Sequence, residues 1–461
     1  MSNIQLYLGD SKLVLKKIED NSIDACITDP PYGLTSIVKR FGKEGSAPAQ
    51  HGKDGSFARL SGGFMGKIWD GSGIEYDVDF WKEVLRVLKP GGHLLSFGGS
   101  RTYHRMTCAI EDAGFEIRDM IEWVYGSGFP KSLNIGKAID KLQGNKRNVI
   151  GKGTSGEPKT HTSSLNMSQV KNNTFSGEFD ITKGNSEWEG WGTALKPAHE
   201  PIVLARKPLS EKTIIENVLK WGVGGLAIDN CRVYVNPKVD DIKREVYRGK
   251  RNKSTDWGSN SGFKNETNKF TGVPLEGRFP ANFIHDGSDE VVKLFPNTTS
   301  GARSSKYIIG NEKGEMFNHG IYGKYKSKSY KDAPIDSGSA SRFFYCAKAS
   351  KSERDIGCDN LEEKESIYPG ANSFDEDGNR LRENGSIIPP LKSRNNHPTV
   401  KPIALMKYLI TLISREGQIV LDPFIGSGST GVGCKLLNRK FIGIEQSEEY
   451  IKIAQARIKG T

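Results

Sequence analysis

The chain has 461 residues, 36% of them hydrophobic and 26% charged, with a formal net charge of +11. That length holds about two or three domains and a large buried core, and the excess of Lys and Arg suits a polyanionic partner. No apolar run approaches the roughly 20 residues of a membrane-spanning helix. The start, Met1-Ser2-Asn3-Ile4-Gln5, lacks a signal-peptide pattern, so a cytosolic protein is expected. The cysteines, Cys26, Cys108, Cys231, Cys346, Cys358 and Cys434, form no Cys-x-x-Cys pair. A zinc ribbon or disulfide framework is therefore not indicated, and no metal site is expected.

Gln5-Leu6-Tyr7-Leu8 reads as a strand ending at Gly9-Asp10, and Ser11 can cap the helix that follows. Ile23-Asp24-Ala25-Cys26-Ile27 then reads as a strand buried in a parallel sheet, and it runs into Thr28-Asp29-Pro30-Pro31-Tyr32-Gly33. Two prolines cannot continue a ladder, so the chain turns sharply there. In open α/β sheets that carboxyl edge is where ligands bind. The Asp29 carboxylate and the Pro30 carbonyl are two acceptors that can hold both N–H bonds of a nucleobase exocyclic amine. They would turn its lone pair toward an electrophile. Tyr32 can stack on the base, which is worth about 1–3 kcal/mol. The structural alternative is a Pro-Pro turn whose Asp caps the next segment.

Residues from about Lys39 to Gly73 show no periodicity and read as a lid-like loop with one aromatic and basic island, Gly63 to Asp70. Helical spacing over Phe80 to Leu88 stops at Lys89-Pro90-Gly91-Gly92. A strand (His93–Gly98), a helix (Arg101–Ala113) and a strand (Phe115–Tyr125) follow. Glu200 to Arg206 is expected to partner that last strand, after a polar excursion from Gly126 to about Gly192 expected to be largely loop. From Pro208 to about Asn396 the α/β rhythm is lost. Arg248, Lys250 and Arg251, then Lys324, Tyr325, Lys326 and Lys328, lie where aromatics interleave with basic residues. Such stretches suit phosphate contacts and base stacking, or simply form solvated surface loops. Arg342-Phe343-Phe344-Tyr345-Cys346 reads as a strand.

Regular structure resumes after His397-Pro398-Thr399-Val400-Lys401-Pro402 with a helix, the strand Gln418 to Asp422, a second helix, and a strand closing at Glu445. Gly426, Gly428 and Gly431 form a Gly-x-Gly-x-x-Gly turn between strand and helix, a nucleotide-binding fingerprint in which Glu445 can accept from ribose hydroxyls. Asp422, just ahead of the glycines, suits a methionyl ammonium and would repel a pyrophosphate. Lys401 can pair with the methionyl carboxylate, Phe424 or Tyr32 can face a sulfonium, and Asp10 can accept from the cofactor's adenine amine. These flanks favour S-adenosylmethionine over NAD.

Asp29-Pro30-Pro31-Tyr32, followed far downstream by Phe424-x-Gly426-x-Gly428 and preceded there by His397-Pro398-Thr399-x-Lys401-Pro402, resembles an amino-group DNA methyltransferase of the permuted β class. The resemblance covers roughly 3–130, 190–210 and 395–461, and it extends to phage and prophage methylases. It implies an α/β fold with a doubly wound, mostly parallel, Rossmann-like sheet, circularly permuted, carrying a large inserted target recognition region. The expected layout is a catalytic half (1–129), a polar insertion (130–189), a returning strand (190–209), the recognition domain (210–395) and a cofactor half (396–461). Asp29, Pro30, Pro31 and Tyr32 form the expected catalytic set. Asp10, Asp29, Thr399, Lys401, Asp422, Phe424, Gly426, Gly428, Thr430 and Glu445 form the expected S-adenosylmethionine set. The expected partner is double-stranded DNA, with a homodimer and a restriction endonuclease as further candidates. Adenine N6 is the favoured target, because an Asp opens the tetrapeptide more often in adenine enzymes; cytosine N4 is the alternative. A cytosine-carbon methylase needs a nucleophilic thiol, usually in a Pro-Cys pair, and the chain has no Pro-Cys. An NAD-dependent oxidoreductase on the same glycine loop would leave Asp29 to Tyr32 and Lys401 without a role. A DNA-binding module that has lost its chemistry would not need to keep Asp29 and Tyr32.

Overall fold

The computed structural model describes residues 4–32, 73–126, 128, 132–154, 178–233, 277–300, 336–347, 353–366, 373–374, 380–381, 391–397 and 399–461. They fall into two compact units. One takes the described residues of Met1–Ala227, Ala281–Val291 and Cys346–Thr461, the other those of Ile228–Pro280 and Val292–Tyr345. The loop expected from about Lys39 and the basic stretches carrying Arg248, Lys250, Arg251, Lys324, Tyr325, Lys326 and Lys328 lie outside the described residues, as do Gly33 and Pro398.

In the first unit, apolar runs alternate with amphipathic segments, the pattern that builds a sheet with helices on its faces. Its first elements are β1 (Ile4–Leu8), α1 (Ser11–Leu15), β2 (Ile23–Thr28), α2 (Val78–Val87), β3 (Leu88–Phe97), α3 (Tyr103–Asp112) and β4 (Glu116–Val124). Then come α4 (Ile135–Gln143), β5 (Asn148–Thr154), β6 (Glu178–Lys183), β7 (His199–Arg206), α5 (Ile214–Trp221) and β8 (Phe283–His285). In the second unit β9 (Asn297–Ser300) pairs antiparallel with β10 (Asp336–Ser339). The first unit closes with α6 (Ile403–Ile413), β11 (Ile419–Asp422), α7 (Ser429–Leu436), β12 (Lys440–Glu445) and α8 (Glu448–Gly460).

The large sheet runs β1-β12-β11-β2-β3-β7-β4-β8, with a short strand at Cys346 on the far edge. All its pairings across these eight strands are parallel except those of β7, which runs against β3 and β4. The two strands latest in the chain, β11 and β12, are thus inserted between the two earliest. Strand β11 neighbours β2 directly, and β1 lies on its other side beyond β12. Because parallel strands deliver their carboxyl ends to one edge, the loops after β1, β2, β11 and β12 emerge together. The reversed strand β7 brings its beginning, His199 and Glu200, to that same edge.

One face of the sheet packs Val14 and Leu15 of α1, Phe80, Trp81, Val84 and Val87 of α2, and Met106, Ala109 and Ile110 of α3 against Cys26, Leu94, Val203, Leu421 and Ile444. Ala25, Ile27 and Val420 are also buried but point the other way, as strand alternation requires. The layer of α6, α7 and α8 lies against the β1, β2 and β12 strands. Helix α2 forms where Asp77 accepts from the Asp79 and Phe80 amides, at 2.9 and 3.3 Å, and its buried positions recur at helical spacing.

Lys89-Pro90-Gly91-Gly92, expected to separate helix from strand, is drawn into β3. The Gly91 amide donates to the Lys207 carbonyl (3.1 Å) and the Lys207 amide to the Gly92 carbonyl (2.9 Å), which lengthens the ladder. The excursion expected to be loop carries α4 and the antiparallel β5–β6 hairpin. Asn134 caps α4 by accepting from the Lys137 amide, and Gly144 ends it in the left-handed region. Arg147 ties this insertion together, pairing with Asp140 and, at 2.7 Å, with Glu189.

In the second unit, the Arg342–Cys346 stretch expected as a strand begins instead as a 3-10 turn, Ala340–Phe343. Arg342 folds back to donate to the carbonyls of Gly338 (2.5 Å) and Ser339 (2.7 Å), which closes the turn. Among the described residues, no helix is long and apolar enough to cross a membrane.

Candidate active site

The turn after β2 begins with Thr28, fully buried, and continues through half-buried Asp29, buried Pro30 and Pro31, and half-buried Tyr32. Tyr32 is fixed from three directions. Its carbonyl accepts from Thr102 Oγ1 (2.8 Å) and from the Tyr76 hydroxyl (3.3 Å), and its own hydroxyl donates to Glu200 Oε2 (2.8 Å). Asp29 Oδ2 lies 2.5 Å from Lys401 Nζ, while Asp29 Oδ1 is buried with no hydrogen-bond partner among the described residues. Lys401 Nζ also lies 3.3 Å from Glu200 Oε2, 3.4 Å from the Tyr32 hydroxyl and 5.0 Å from the centre of the Phe97 ring. Burial raises the pKa of Asp29; the Lys401 ammonium opposes that rise, and the Glu200 carboxylate adds to it. Lys401 is held above the ordinary lysine value, because Asp29 and Glu200 outweigh the cost of burying its charge.

The glycine turn sits on the adjacent strand. Asp422, at the end of β11, accepts from Thr28 Oγ1 (2.8 Å), Thr430 Oγ1 (2.6 Å) and the Phe424 amide (3.0 Å). One buried carboxylate therefore joins the strand leading to Asp29 with the helix that follows the glycines. Burial pushes Asp422 up to about 7. Gly426 and Gly428 adopt φ of 50° and 81°, a region that strains other residues. At Gly426 a Cβ would stand 2.6 Å from His397 Nε2, and at Gly428 it would stand 2.9 Å from Ala454 Cα. Glu445 accepts from the Gly426 amide through Oε2 (3.0 Å) and from the Ser447 amide through Oε1 (2.9 Å). A carboxylate has about four acceptor sites, so capacity for a further donor remains.

The remaining expected residues are placed as follows. The Asp10 carboxylate caps α1 by accepting from the Lys12 amide (2.7 Å), is exposed, and follows a strand whose Leu8 is in register with Glu445. The Thr399 amide donates to His397 Nδ1 at 3.3 Å. The half-buried Phe424 ring packs 5.2 Å from that of Phe80. Lys401, expected at a methionyl carboxylate, spans Asp29 and Glu200.

Three participants escaped the sequence reading. Glu200 was legible only as the first residue of a returning strand, although an antiparallel strand must begin where its neighbours end. Thr28 was visible as the residue before Asp29, but its partner is 394 positions away. Arg457, fully buried in α8, donates to the Ser427 carbonyl (2.7 Å) and to the hydroxyls of Ser427 and Ser429 (3.1 Å each), holding the glycine turn from below. Its only sequence signal is a charge on the apolar face of a helix.

The family described as DNA methylase, covering N6 and N4 enzymes, matches residues 23–456. The chain belongs to that family. Among its relatives, the Type II methyltransferase M.HindIII of Haemophilus influenzae is 24% identical over 470 residues, covering 98% of this chain and 94% of that one. The Type II methyltransferase M.HpaI of Haemophilus parainfluenzae is 52% identical over 67 residues, 14% of this chain and 21% of that one. The solved M1.HpyAVI–SAM complex aligns over 99% of both chains with 15% identity and a TM-score of 0.34.

DNA methylases of this family act on DNA and take their methyl group from S-adenosylmethionine. The residues present fit that cofactor. The turn after β11 is a strand-to-helix bend at positive φ whose Gly426 and Gly428 leave its backbone bare of side chains, with a carboxylate, Glu445, accepting from the Gly426 amide at its rim. When bound there, S-adenosylmethionine supplies an electrophilic methyl group on a sulfonium.

Proposed function

We propose that this DNA methylase modifies the exocyclic N6 of adenine in duplex DNA, with the target base rotated out of the helix. The observation that carries the reading is the buried Asp29 Oδ1, without a hydrogen-bond partner among the described residues, on the turn beside the glycine turn. A buried acceptor without a donor costs free energy unless something fills it, and an amine N–H would do so. Asp29 accepts one N–H and the Pro30 carbonyl the other, which aims the nitrogen lone pair out of the ring plane. Tyr32, anchored by Glu200, Thr102 and Tyr76, stacks on the base. Once methylated, the nitrogen is cationic, and Asp29 takes the proton that it sheds. Rate enhancement comes chiefly from positioning in a site closed to water.

For the cofactor, the Gly426–Gly428 turn gives backbone approach, Glu445 the ribose contacts and Asp10 a contact to its adenine amine. Phe424 provides an aromatic face, and Thr399, Asp422 and Thr430 support the cradle's walls. Residues 210–395 are proposed to read the target sequence, with the basic stretches around Arg248 and Lys324 on phosphates. The Type II names of the relatives favour a partnership with a restriction endonuclease.

Nucleoside analysis of plasmid DNA from cells expressing the protein tests this reading. N6-methyladenine is expected. Finding only N4-methylcytosine would move the target to cytosine, and DNA with no methylated amine would overturn the activity.

A further inference from the structure

Glu200 is the one carboxylate in the cluster that no motif accounts for, and it has the most partners. Its Oε2 accepts from the Tyr32 hydroxyl at 2.8 Å and lies 3.3 Å from Lys401 Nζ. Tyr125 faces it as well, its phenol pushed above its ordinary pKa first by burial and then by the Glu200 charge. Tyr125 stands at the end of β4, Glu200 at the start of β7, Tyr32 after β2 and Lys401 before α6. Three other segments therefore converge on this single side chain.

We infer that Glu200 is a positioning residue for methyl transfer, holding the Tyr32 ring and the Lys401 ammonium so that Asp29 stays available to the substrate amine. This rests on the proposed roles of Asp29 and Tyr32.

The argument is one of charge and competition. An ammonium 2.5 Å from Asp29 Oδ2 draws on the carboxylate that must accept from the substrate. Without a second anion, Lys401 would sit wholly on Asp29 and make it a weaker acceptor. With Glu200 present, two carboxylates share one ammonium, and the cluster keeps one unit of negative charge. That charge sits where the amine nitrogen becomes positive as it takes the methyl, and preorganised charge of the right sign is worth most in a buried site. The Tyr32 hydroxyl bond does separate work, fixing the ring that stacks on the base.

The charged and titratable groups facing Asp29 are Lys401, Glu200, Tyr32 and, more distantly, Asp422. Glu200 is among those raising Asp29. Removing its charge therefore lowers the Asp29 pKa, and the acid limb of the rate moves to lower pH.

The test follows tritiated methyl transfer from S-adenosylmethionine to plasmid DNA grown in a methylation-deficient host. It uses the full chain, its Glu200→Gln, Glu200→Asp and Asp29→Ala variants, and a range of pH. Glu200→Gln keeps an acceptor for Tyr32 but loses the charge. It is expected to lower kcat by about 10- to 100-fold, leave the KM for S-adenosylmethionine unchanged, and shift the acid limb to lower pH. Glu200→Asp, which keeps the charge, should leave the limb in place and recover part of the rate. A Glu200→Gln protein with wild-type kcat and limb, beside an inactive Asp29→Ala protein, would overturn this inference alone. So would a loss of rate with the limb unmoved, since that marks a merely structural role. An Asp29→Ala protein as active as wild type would instead overturn the reading of Asp29, and this inference with it.

Discussion

Lys401 and Asp29 lie 372 positions apart in the chain, yet the ammonium of one sits 2.5 Å from Oδ2 of the other. The ammonium is also within 3.3 Å of Glu200, so it is the only cation that the described residues place between these two carboxylates. Replacing Lys401 by Met removes it and leaves two half-buried anions facing each other. Breaking a buried pair in this way costs about 3–5 kcal/mol. The loss depends on pH. Without Lys401 the folded-state pKa of Asp29 rises further above its unfolded value, so the folded protein holds its proton more tightly. Stability then falls as pH rises through that range. Urea midpoints should show a larger deficit for Lys401→Met at pH 8 than at pH 5. An equal deficit at both would mean that Lys401 acts through packing alone.

Thr28 is the covalent neighbour of Asp29 and the hydrogen-bond neighbour of Asp422. Thr28→Val keeps the shape and removes the hydroxyl, so Asp422 loses one of three donors in a buried site. The expected cost is about 1–3 kcal/mol. Because the bond joins the strand before the catalytic turn to the strand before the glycine turn, both S-adenosylmethionine affinity and kcat should fall. Calorimetric titration and initial rates check the two separately. A variant that loses only stability would show that the bridge does not couple the turns.

The elements carrying these bonds are largely legible from the chain, because β2, β3 and β11 hold apolar runs closed by Asp, Gly or Pro. Gly426 and Gly428 announced a cradle for the same local reason: a strand-to-helix turn at positive φ tolerates little else. What local pattern could not show is who meets whom at the sheet edge. The expectation that Lys401 pairs with a methionyl carboxylate rests on charge alone, and the chain gives no sign that the sheet order also lays it beside Asp29. By sequence alone Glu200 and Tyr125 are ordinary strand ends. Their meeting follows from the antiparallel return of β7, which is a tertiary fact. The polar composition of the insertion with α4 suggests loop and masks Asn134 and Gly144, a cap at each end of one helix.

Asp422 gives a second pH signature. Its pKa is pushed up to about 7 by burial, so the folded state holds a proton that the unfolded chain releases near 4. Stability contributed at this position is therefore present at acid pH and lost as pH rises through about 7. Asp422→Asn abolishes that titration while keeping an acceptor for one threonine. The gap in urea midpoint between pH 5 and pH 8 should be smaller in the variant than in the wild type. A gap of the same size would place the proton elsewhere.

Tyr32 separates stacking from anchoring within one side chain. Tyr32→Phe retains the ring but loses the hydroxyl that donates to Glu200 at 2.8 Å, so the ring is placed less well and Lys401 gains a freer carboxylate. Tyr32→Ala removes the ring as well, and with it about 1–3 kcal/mol of stacking on the displaced base. That corresponds to roughly 5- to 150-fold in binding. Fluorescence of 2-aminopurine placed at the target position reports the rotated base directly. Tyr32→Phe should keep most of the signal and lower kcat, because the base still finds a flat surface but the amine is aimed less well. Tyr32→Ala should lose the signal and raise the KM for DNA in proportion. If both variants lose signal and rate equally, the hydroxyl bond to Glu200 rather than the ring face is what holds the base, and stacking is not the work Tyr32 does.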